Sequence, residues 1–335
     1  MSLWMVRGGD KGIHEQRMLD NNFISIGWSE LPDLSGITQK EELQRLYKDT
    51  YPEAKENRMK NHVNQIWQFI SKIQKEDMVA VPLKAQSAIA VGKVSGEYQY
   101  VTDQGIDLRH KRSVEWIKTD IPRTKFDQDL LYSLGAFMTV CQISRNNAEN
   151  RVRGVLSGTA KPKSGVEIGE ISEEREVNIE QNARDQIMRF IEYKFKGHAL
   201  SELVESILRA QGYTTKRSAP GPDGGVDILA GAGNMGFDEP RLCVQVKSSS
   251  SSVDVTVYRS LIGTMSNFGA KQGLLVSWSG FNRKVIEEAN KKYFDIRLWD
   301  SGDLIDEVIK NYGNLSENIQ ALLPLKKIWV LVEED

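Results

Sequence analysis

Gly221-Pro222-Asp223-Gly224-Gly225-Val226-Asp227-Ile228 and, a short interval later, Cys243-Val244-Gln245-Val246-Lys247 are the stretches on which the reading of this chain turns. The first ends a turn-forming run with an aspartate at the mouth of an apolar, strand-like segment. Within it, Asp223 of Pro-Asp-Gly-Gly is most simply a turn residue, a direct metal role being the alternative. The second is a β-branched strand carrying Gln245 and Lys247 two residues apart. Side chains alternate along a strand, so Gln245 and Lys247 share one face while Val244 and Val246 turn to the other. Paired as a hairpin, the two strands bring Asp227, Gln245 and Lys247 to one edge. A carboxylate, an amide oxygen and an ammonium gathered there suit a metal ion and an attacking water.

Outward from this core the pattern alternates. A helix is expected from about 177, with Ile179, Ala183, Ile187 and Phe190/Ile191 on one stripe, and a second over 199–211, stopped by Gly212. Strands over 226–230, 242–247, 273–277 and 294–299 are interleaved with helices over 254–267, 281–291 and 301–311. This succession predicts an α/β (α+β) domain with a mixed central sheet flanked by helices. Upstream, strands are expected over 3–6, 23–28, 78–81, 88–94, 98–100 and 113–117, with helices over 39–49 and 59–73. Short strands broken by Gly and Asp turns suggest a small barrel or a strongly curved sheet. Between the halves, a Gly-, Lys- and Arg-rich stretch reads as a linker. The expected organisation is therefore 1–150, a linker over 151–176, and 177–335.

The length of 335 residues allows two domains, each with its own core. With 40% hydrophobic and 27% charged residues, the chain reads as globular rather than disordered. A net charge of −2 neither announces nor excludes a polyanionic ligand, which local basic patches would have to meet. Cys141 and Cys243 lie in apolar surroundings and read as reduced, buried thiols. They and the four histidines show no paired spacing for structural zinc. No apolar run reaches the length of a membrane span and no signal-peptide core is present, so no membrane association and a cytoplasmic location are expected. No phosphate-binding GxxxxGK[ST] loop occurs, so no built-in ATP motor is expected.

Further pieces follow in a definite order: Gly197-His198-Ala199-Leu200-Ser201-Glu202-Leu203-Val204, Gly212-Tyr213, the Asp227 and Gln245/Lys247 stretches, Gly273-Leu274-Leu275-Val276-Ser277 with Gly280-Phe281, and Ile296-Arg297-Leu298-Trp299-Asp300 leading to Leu304. In this order, residues of about 195–312 resemble the Mrr-type catalytic domain of the PD-(D/E)XK nuclease superfamily, met in modification-dependent restriction endonucleases. The resemblance implies Mg²⁺-dependent hydrolysis of DNA phosphodiesters. Asp227 and Gln245 would ligate the metal, Lys247 would position or deprotonate the attacking water, and Glu202 would reach the site from its helix. Taken alone, Glu202 and Glu205 also fit exposed helix acids. Two departures stand out. Gln245 occupies the place of an acid, resembling a Gln-x-Lys subgroup; this removes a negative charge and weakens metal affinity unless Glu202 compensates. Ser201 replaces a bulky residue. Near the site, Ser248 and the serine run it opens, with Lys216, Arg217 and Arg259, offer phosphate contacts, a solvated loop being the alternative.

Four of the seven tryptophans, Trp4, Trp28, Trp67 and Trp116, precede residue 120. Gly92-Lys93-Val94-Ser95-Gly96 and the stretch from Leu108 to Trp116 resemble strands of the PUA-like group, its EVE and YTH branches in particular. That likeness implies a PUA-like β-barrel whose pocket takes a flipped, modified base between aromatic faces. Trp28 is the expected pocket wall; Trp4, Trp67 and Trp116 fit a core better. Arg109, His110, Lys111 and Arg112 are the expected cations for DNA phosphates, a solvated turn being the alternative. Together these readings predict a modification-dependent endonuclease acting on double-stranded DNA. One constellation per chain implies a homodimer, stable or transient, for cutting two strands. The competing expectation is a nucleic-acid-binding protein that does not cut, and an RNA-directed protein is a third.

Overall fold

Leu3-Trp4-Met5-Val6 forms strand β1 and is buried on both faces, so its run is continuously apolar rather than alternating. It sits in a six-stranded sheet with β2 (Phe23–Ile26), β3 (Met78–Pro82), β4 (Ala88–Tyr100), β5 (His110–Pro122) and β6 (Val140–Gln142), ordered β2-β5-β4-β3-β1-β6. Only β1 and β3 run parallel; the other pairs are antiparallel. Trp4, Val6, Val79 and Val81 turn to one core with helices α2 (Lys40–Thr50) and α3 (Glu56–Trp67), whereas α1 (Glu15–Asp20) adds Met18. Leu3, Met5, Met78 and Ala80 turn to the other, closed by α4 (Gln128–Leu134) and α5 (Ala148–Leu156). Each fully buried Leu, Ile or Val stabilises by roughly 1.5–3 kcal/mol.

The two thirteen-residue strands β4 and β5 pair with register shifts at Ile89/Val91, Val91/Gly92 and Val94/Tyr98. Such irregularities bend and twist a sheet. Gly92 lies at this bend, where a Cβ would come within 2.6 Å of Val114 Cγ1 and 2.8 Å of the Glu115 carbonyl. Curvature thus matches expectation, but among the described residues no pairing joins β2 to β6 to close a barrel.

A computed structural model describes residues 1–9, 12–84, 86–102, 108–136, 138–159, 179–218 and 225–329. The chain divides into Met1–Asp185 and Gln186–Asp335. The first unit runs past the expected limit at 150. Residues 151–156 of the expected linker belong to α5, which puts Ala148 and Val152 into the core. Helix α6 (Ile179–Lys194) contributes Asp185, whose carboxylate receives both Nε and Nη2 of Arg123, at 2.9 and 2.7 Å. Residues 160–176 of that linker, and Gly221–Gly224 of the opening motif, lie outside the described residues.

The second unit follows the expected alternation, with β7 (Thr214–Arg217) and α11 (Glu317–Leu322) in addition. Its elements are α7 (His198–Ala210), β7 (Thr214–Arg217), β8 (Ile228–Ala232), β9 (Asp238–Lys247), α8 (Val255–Asn267), β10 (Gln272–Ser277), α9 (Arg283–Asn290), β11 (Ile296–Trp299), α10 (Ser301–Asn311) and α11 (Glu317–Leu322). The sheet order is β11-β10-β9-β8-β7, parallel across β9, β10 and β11 and antiparallel across β7, β8 and β9. Val244, Val246, Leu274 and Val276 meet α7 and α10 on one face. Cys243 and Leu275 meet α8 and α9 on the other. Polar residues set the helix starts: Asp254, Asn282 and Asp300 each accept backbone N–H groups of the first turn, and Asp300 forms a capping box with Asp303.

Candidate active site

Asp227 stands at the entry to β8, one residue before the Ile228–Val244 pair. Its N–H donates to the Val244 carbonyl at 2.9 Å, and its Oδ2 accepts the Val246 N–H at 2.8 Å. The carboxylate is therefore fastened to the peptide between Gln245 and Lys247. Alternation turns Gln245 and Lys247 to the α8 face, opposite Val244 and Val246. Gln245 is 5% exposed, and its Oε1 is fully buried with no hydrogen-bond partner. On its other side is Gly225, at φ +85, where a Cβ would sit 3.9 Å from Gln245 Nε2 and 3.4 Å from Thr264 Oγ1 of α8. Gly225 and Thr264 are neighbours that sequence reasoning missed; the second glycine of Gly224-Gly225 was their one visible trace.

Lys247 ends β9 beside Ser277, the end of β10, and its carbonyl accepts the Trp278 N–H at 2.9 Å. These are the carboxyl ends of parallel strands, where open α/β sheets place ligands. A cleft of about 240 Å³, lined by Leu242, Gln272, Tyr293, Phe294 and Ile296 among others, lies at the opposite ends of the same strands and is remote from this chemistry.

The structure does not bring Glu202 to these three residues. Helix α7 packs on the Val244/Val246 face, and the Glu202 carboxylate lies 3.4 Å from Arg217 Nη1 and accepts from Asn318 Nδ2 at 3.3 Å. This corrects the expectation of a helix acid in the metal shell: a helix face is assigned by packing, which the acid's position in sequence does not reveal. Glu205 is likewise engaged by Arg209 and Arg217. Lys216 is exposed on the edge strand β7, and the Ser248 hydroxyl accepts the Gly197 N–H at 3.3 Å. Arg259 is paired with Glu288 at 2.6 Å. Among the described residues no three Asp, Glu, His or Cys side chains converge as a metal site. The oxygens of Asp227 and Gln245 are hard donors of the kind Mg²⁺ takes, and the buried, unpartnered Gln245 Oε1 is an acceptor such an ion would satisfy.

In the first unit Trp28 is half-buried at φ +58, a conformation that a bulky residue adopts only under constraint. Its indole N–H donates to His62 Nδ1 at 3.0 Å, the ring lies edge-on to His62, and the Tyr47 hydroxyl is 2.8 Å from the same nitrogen. The polar edge of the indole is thus engaged. Tyr47 and His62, on α2 and α3, are further members of this aromatic group that sequence reasoning missed. Trp4 is core, 3% exposed, with its indole N–H on Asp77.

Two of the expected DNA cations are corrected. Arg112 is 1% exposed and donates to the carbonyls of Phe69, Ile70 and Gly96. Lys111 is buried with its ammonium 4.3 Å from the Phe23 ring centroid. Both belong to β5, an interior strand, where a local reading had allowed an exposed turn. Arg109 is half-buried and donates to the Ser29 carbonyl.

His110, also on β5, is fully buried against Tyr98, whose hydroxyl is 2.8 Å from its Nδ1. Burial pushes the imidazole pKa down to about 4. An unfolded chain binds a proton below about 6.5, which the folded imidazole refuses until about 4. Stability is therefore full above that upper value and declines as pH falls through the window. Thermal melting followed from pH 7.5 downward is expected to show this slope, reduced in His110→Gln; identical slopes in both proteins would contradict it.

Residues 192–308, within the second unit, match a family model described as restriction endonuclease (Mrr_cat). Residues 4–140 match a model described as a domain of unknown function (DUF8426), which leaves the PUA-like reading of the first unit as an expectation. No curated protein matches the chain. Among solved structures, the DNA modification-dependent restriction endonuclease AspBHI is similar at 14% identity and a TM-score of 0.34, over 74% of this chain and 67% of that one. MspJI restriction endonuclease in complex with a 27-mer oligonucleotide is similar at 15% identity and a TM-score of 0.33, over 97% of this chain and 80% of that one. Among the described residues no helix is long and apolar enough to cross a membrane.

Proposed function

We propose that this chain is a modification-dependent DNA endonuclease in which the restriction-endonuclease domain hydrolyses the backbone and the first unit recognises a modified base. The observation that carries this reading is the buried, unpartnered Gln245 Oε1, set two residues from Lys247 on the strand that fastens Asp227, within the matched domain. Asp227 and Gln245 would hold Mg²⁺, which when bound polarises the phosphoryl oxygen and acidifies its water. Lys247 would orient the attacking water and meet the charge of the scissile phosphate. Lys216 and Ser248 would contact flanking phosphates. Trp28, its edge engaged by His62, would offer a ring face to a flipped base. One such centre per chain favours pairing of two copies on double-stranded DNA, in the cytoplasm.

A panel of duplexes carrying methylcytosine, hydroxymethylcytosine, glucosylated hydroxymethylcytosine or methyladenine, incubated with Mg²⁺ or chelator, tests this. Metal-dependent cutting of at least one modified duplex and sparing of unmodified DNA is expected. Binding without cutting across the panel would favour the second reading, a nucleic-acid-binding protein. That reading draws on the missing charge at Gln245 and on Glu202 being engaged by Arg217.

A further inference from the structure

We infer that His62 is a positioning residue for recognition of the modified base: its Nδ1 holds the Trp28 indole in the orientation from which the ring meets that base. The inference rests on the reading of the first unit as the base reader and adds the residue that sets its specificity. Trp28 stands at φ +58; among the described residues the other non-glycine positions at positive φ are Asn22, Glu76, Asn146 and Asn147, so it is the one aromatic there. An aromatic residue keeps that conformation only where its surroundings over-determine it, as they do at ligand clamps. Several elements supply the constraint. The Trp28 carbonyl accepts the Leu31 N–H at 3.0 Å, which closes a turn. Within that turn the Ser29 carbonyl accepts Arg109 Nη1 at 3.3 Å, and just beyond it the Leu34 N–H donates to the Tyr98 hydroxyl of β4 at 3.2 Å. These contacts fix the backbone, whereas the polar edge of the indole is fixed from α2 and α3.

An indole N–H can only donate, so His62 Nδ1, 3.0 Å away, is the bare nitrogen of a neutral imidazole whose proton sits on Nε2. The Tyr47 hydroxyl, 2.8 Å from the same nitrogen, is then a second donor to it. One ring nitrogen thus ties the Trp28 turn to α2 and α3. The N–H bond lies in the plane of the indole, so this grip takes the ring by its edge and leaves its faces to packing or to a ligand. Trp28 is half-buried, which keeps part of the ring accessible. Stacking needs that face at a fixed tilt. An indole released to rotate about its side-chain torsions presents the face for a fraction of the time, and affinity falls by that fraction. Phosphate contacts do not depend on the tilt, so the loss falls on the preference for modified over unmodified DNA.

Equilibrium binding of the full chain, in chelator, to the modified duplex it prefers in the panel and to the unmodified counterpart tests this. Stacking one base on an aromatic ring is worth about 5- to 150-fold in affinity. His62→Leu is expected to lower the preference by at least about fivefold while binding to unmodified DNA stays within about twofold. That variant leaves the buried Tyr47 hydroxyl without its acceptor. Tyr47→Phe combined with His62→Leu removes both polar groups, is expected to melt close to the parent, and should show the same loss of preference. His62→Asn, whose side-chain oxygen can stand near the place of Nδ1, is expected to keep most of it. In a Trp28→Phe background, which lacks the donor, adding His62→Leu should change nothing further, because His62 acts through Trp28. An undiminished preference in both His62→Leu variants overturns the inference. A further loss in the Trp28→Phe background overturns it as well, since His62 would then touch the base itself. If the parent prefers no modified duplex, or Trp28→Phe keeps the full preference, the base-reader role of Trp28 falls and takes the inference with it.

Discussion

Asp227→Asn and Lys247→Ala are each expected to lower Mg²⁺-dependent cleavage of a modified duplex by at least about 10³-fold while leaving DNA binding in chelator within about twofold. The asparagine exchanges a charged metal ligand for a neutral one, yet its amide oxygen can still accept the N–H of Val246 that Oδ2 accepts now. Thermal melting should therefore remain close to that of the parent, which separates chemistry from folding. Lys247 is half-exposed at the end of β9, and its backbone carbonyl, which holds Trp278, is untouched by truncation of the side chain. Gel-based cleavage under single-turnover conditions is the measurement. Undiminished cutting by either variant would remove these residues from the centre.

Arg123→Ala is expected to destabilise the first unit by about 3–5 kcal/mol, because it strands a carboxylate in the interior. Arg123 and Asp185 form a two-pronged pair whose side chains are 5% and 0% exposed, with Gln181 donating to the same carboxylate at 3.2 Å. Removing the guanidinium leaves Asp185 with one neutral donor for a full charge. In a unit of this size each kcal/mol moves the melting temperature by about 2–4 °C, so a fall of roughly 6–20 °C should be seen by calorimetry. Arg123→Met combined with Asp185→Leu removes both charges and should recover much of the loss. If the single variant melts like the parent, the pair contributes little and this account of the boundary near 185 fails.

A group of three charges shows the same logic nearer the surface. Arg151 reaches Asp127 at 2.5 Å and Asp129 at 2.6 Å, and its hydrogen bonds hold the Asp129 carboxyl at about 2, well below its usual range. This network fastens α5 to the segment that begins α4. It explains why the Gly- and Arg-rich stretch opens as helix. Arg151 and Arg153 looked like linker charges, but Arg151 is an anchor and Val152 between them is core.

Elements with a strong local period were legible in advance. The Val244/Val246 and Gln245/Lys247 alternation appears in the structure as two faces of β9, and the capping residues Asp254, Asn282 and Asp300 mark helix starts within a residue or so of expectation. Elements without such a period were missed. Strand β7, Thr-Thr-Lys-Arg, is polar and mostly exposed at a sheet edge, so nothing in its pattern distinguishes it from a loop. Lys111 and Arg112 failed in the opposite sense, because a basic run with no apolar alternation reads as a turn until the strands β2 and β4 are known to flank it.

By itself the sequence determined the order of helices and strands in the second unit apart from β7 and α11, and the placing of Asp227, Gln245 and Lys247 on adjoining strands. Both follow from periodicity and spacing, which are local properties of the chain. Only the tertiary structure decided that Asp227 is tied to the peptide between the other two, that Gln245 keeps a buried oxygen without a partner, and that Glu202 faces Arg217 across the sheet from them. Those outcomes depend on which helix packs on which face and which strands are interior, and long-range burial sets both.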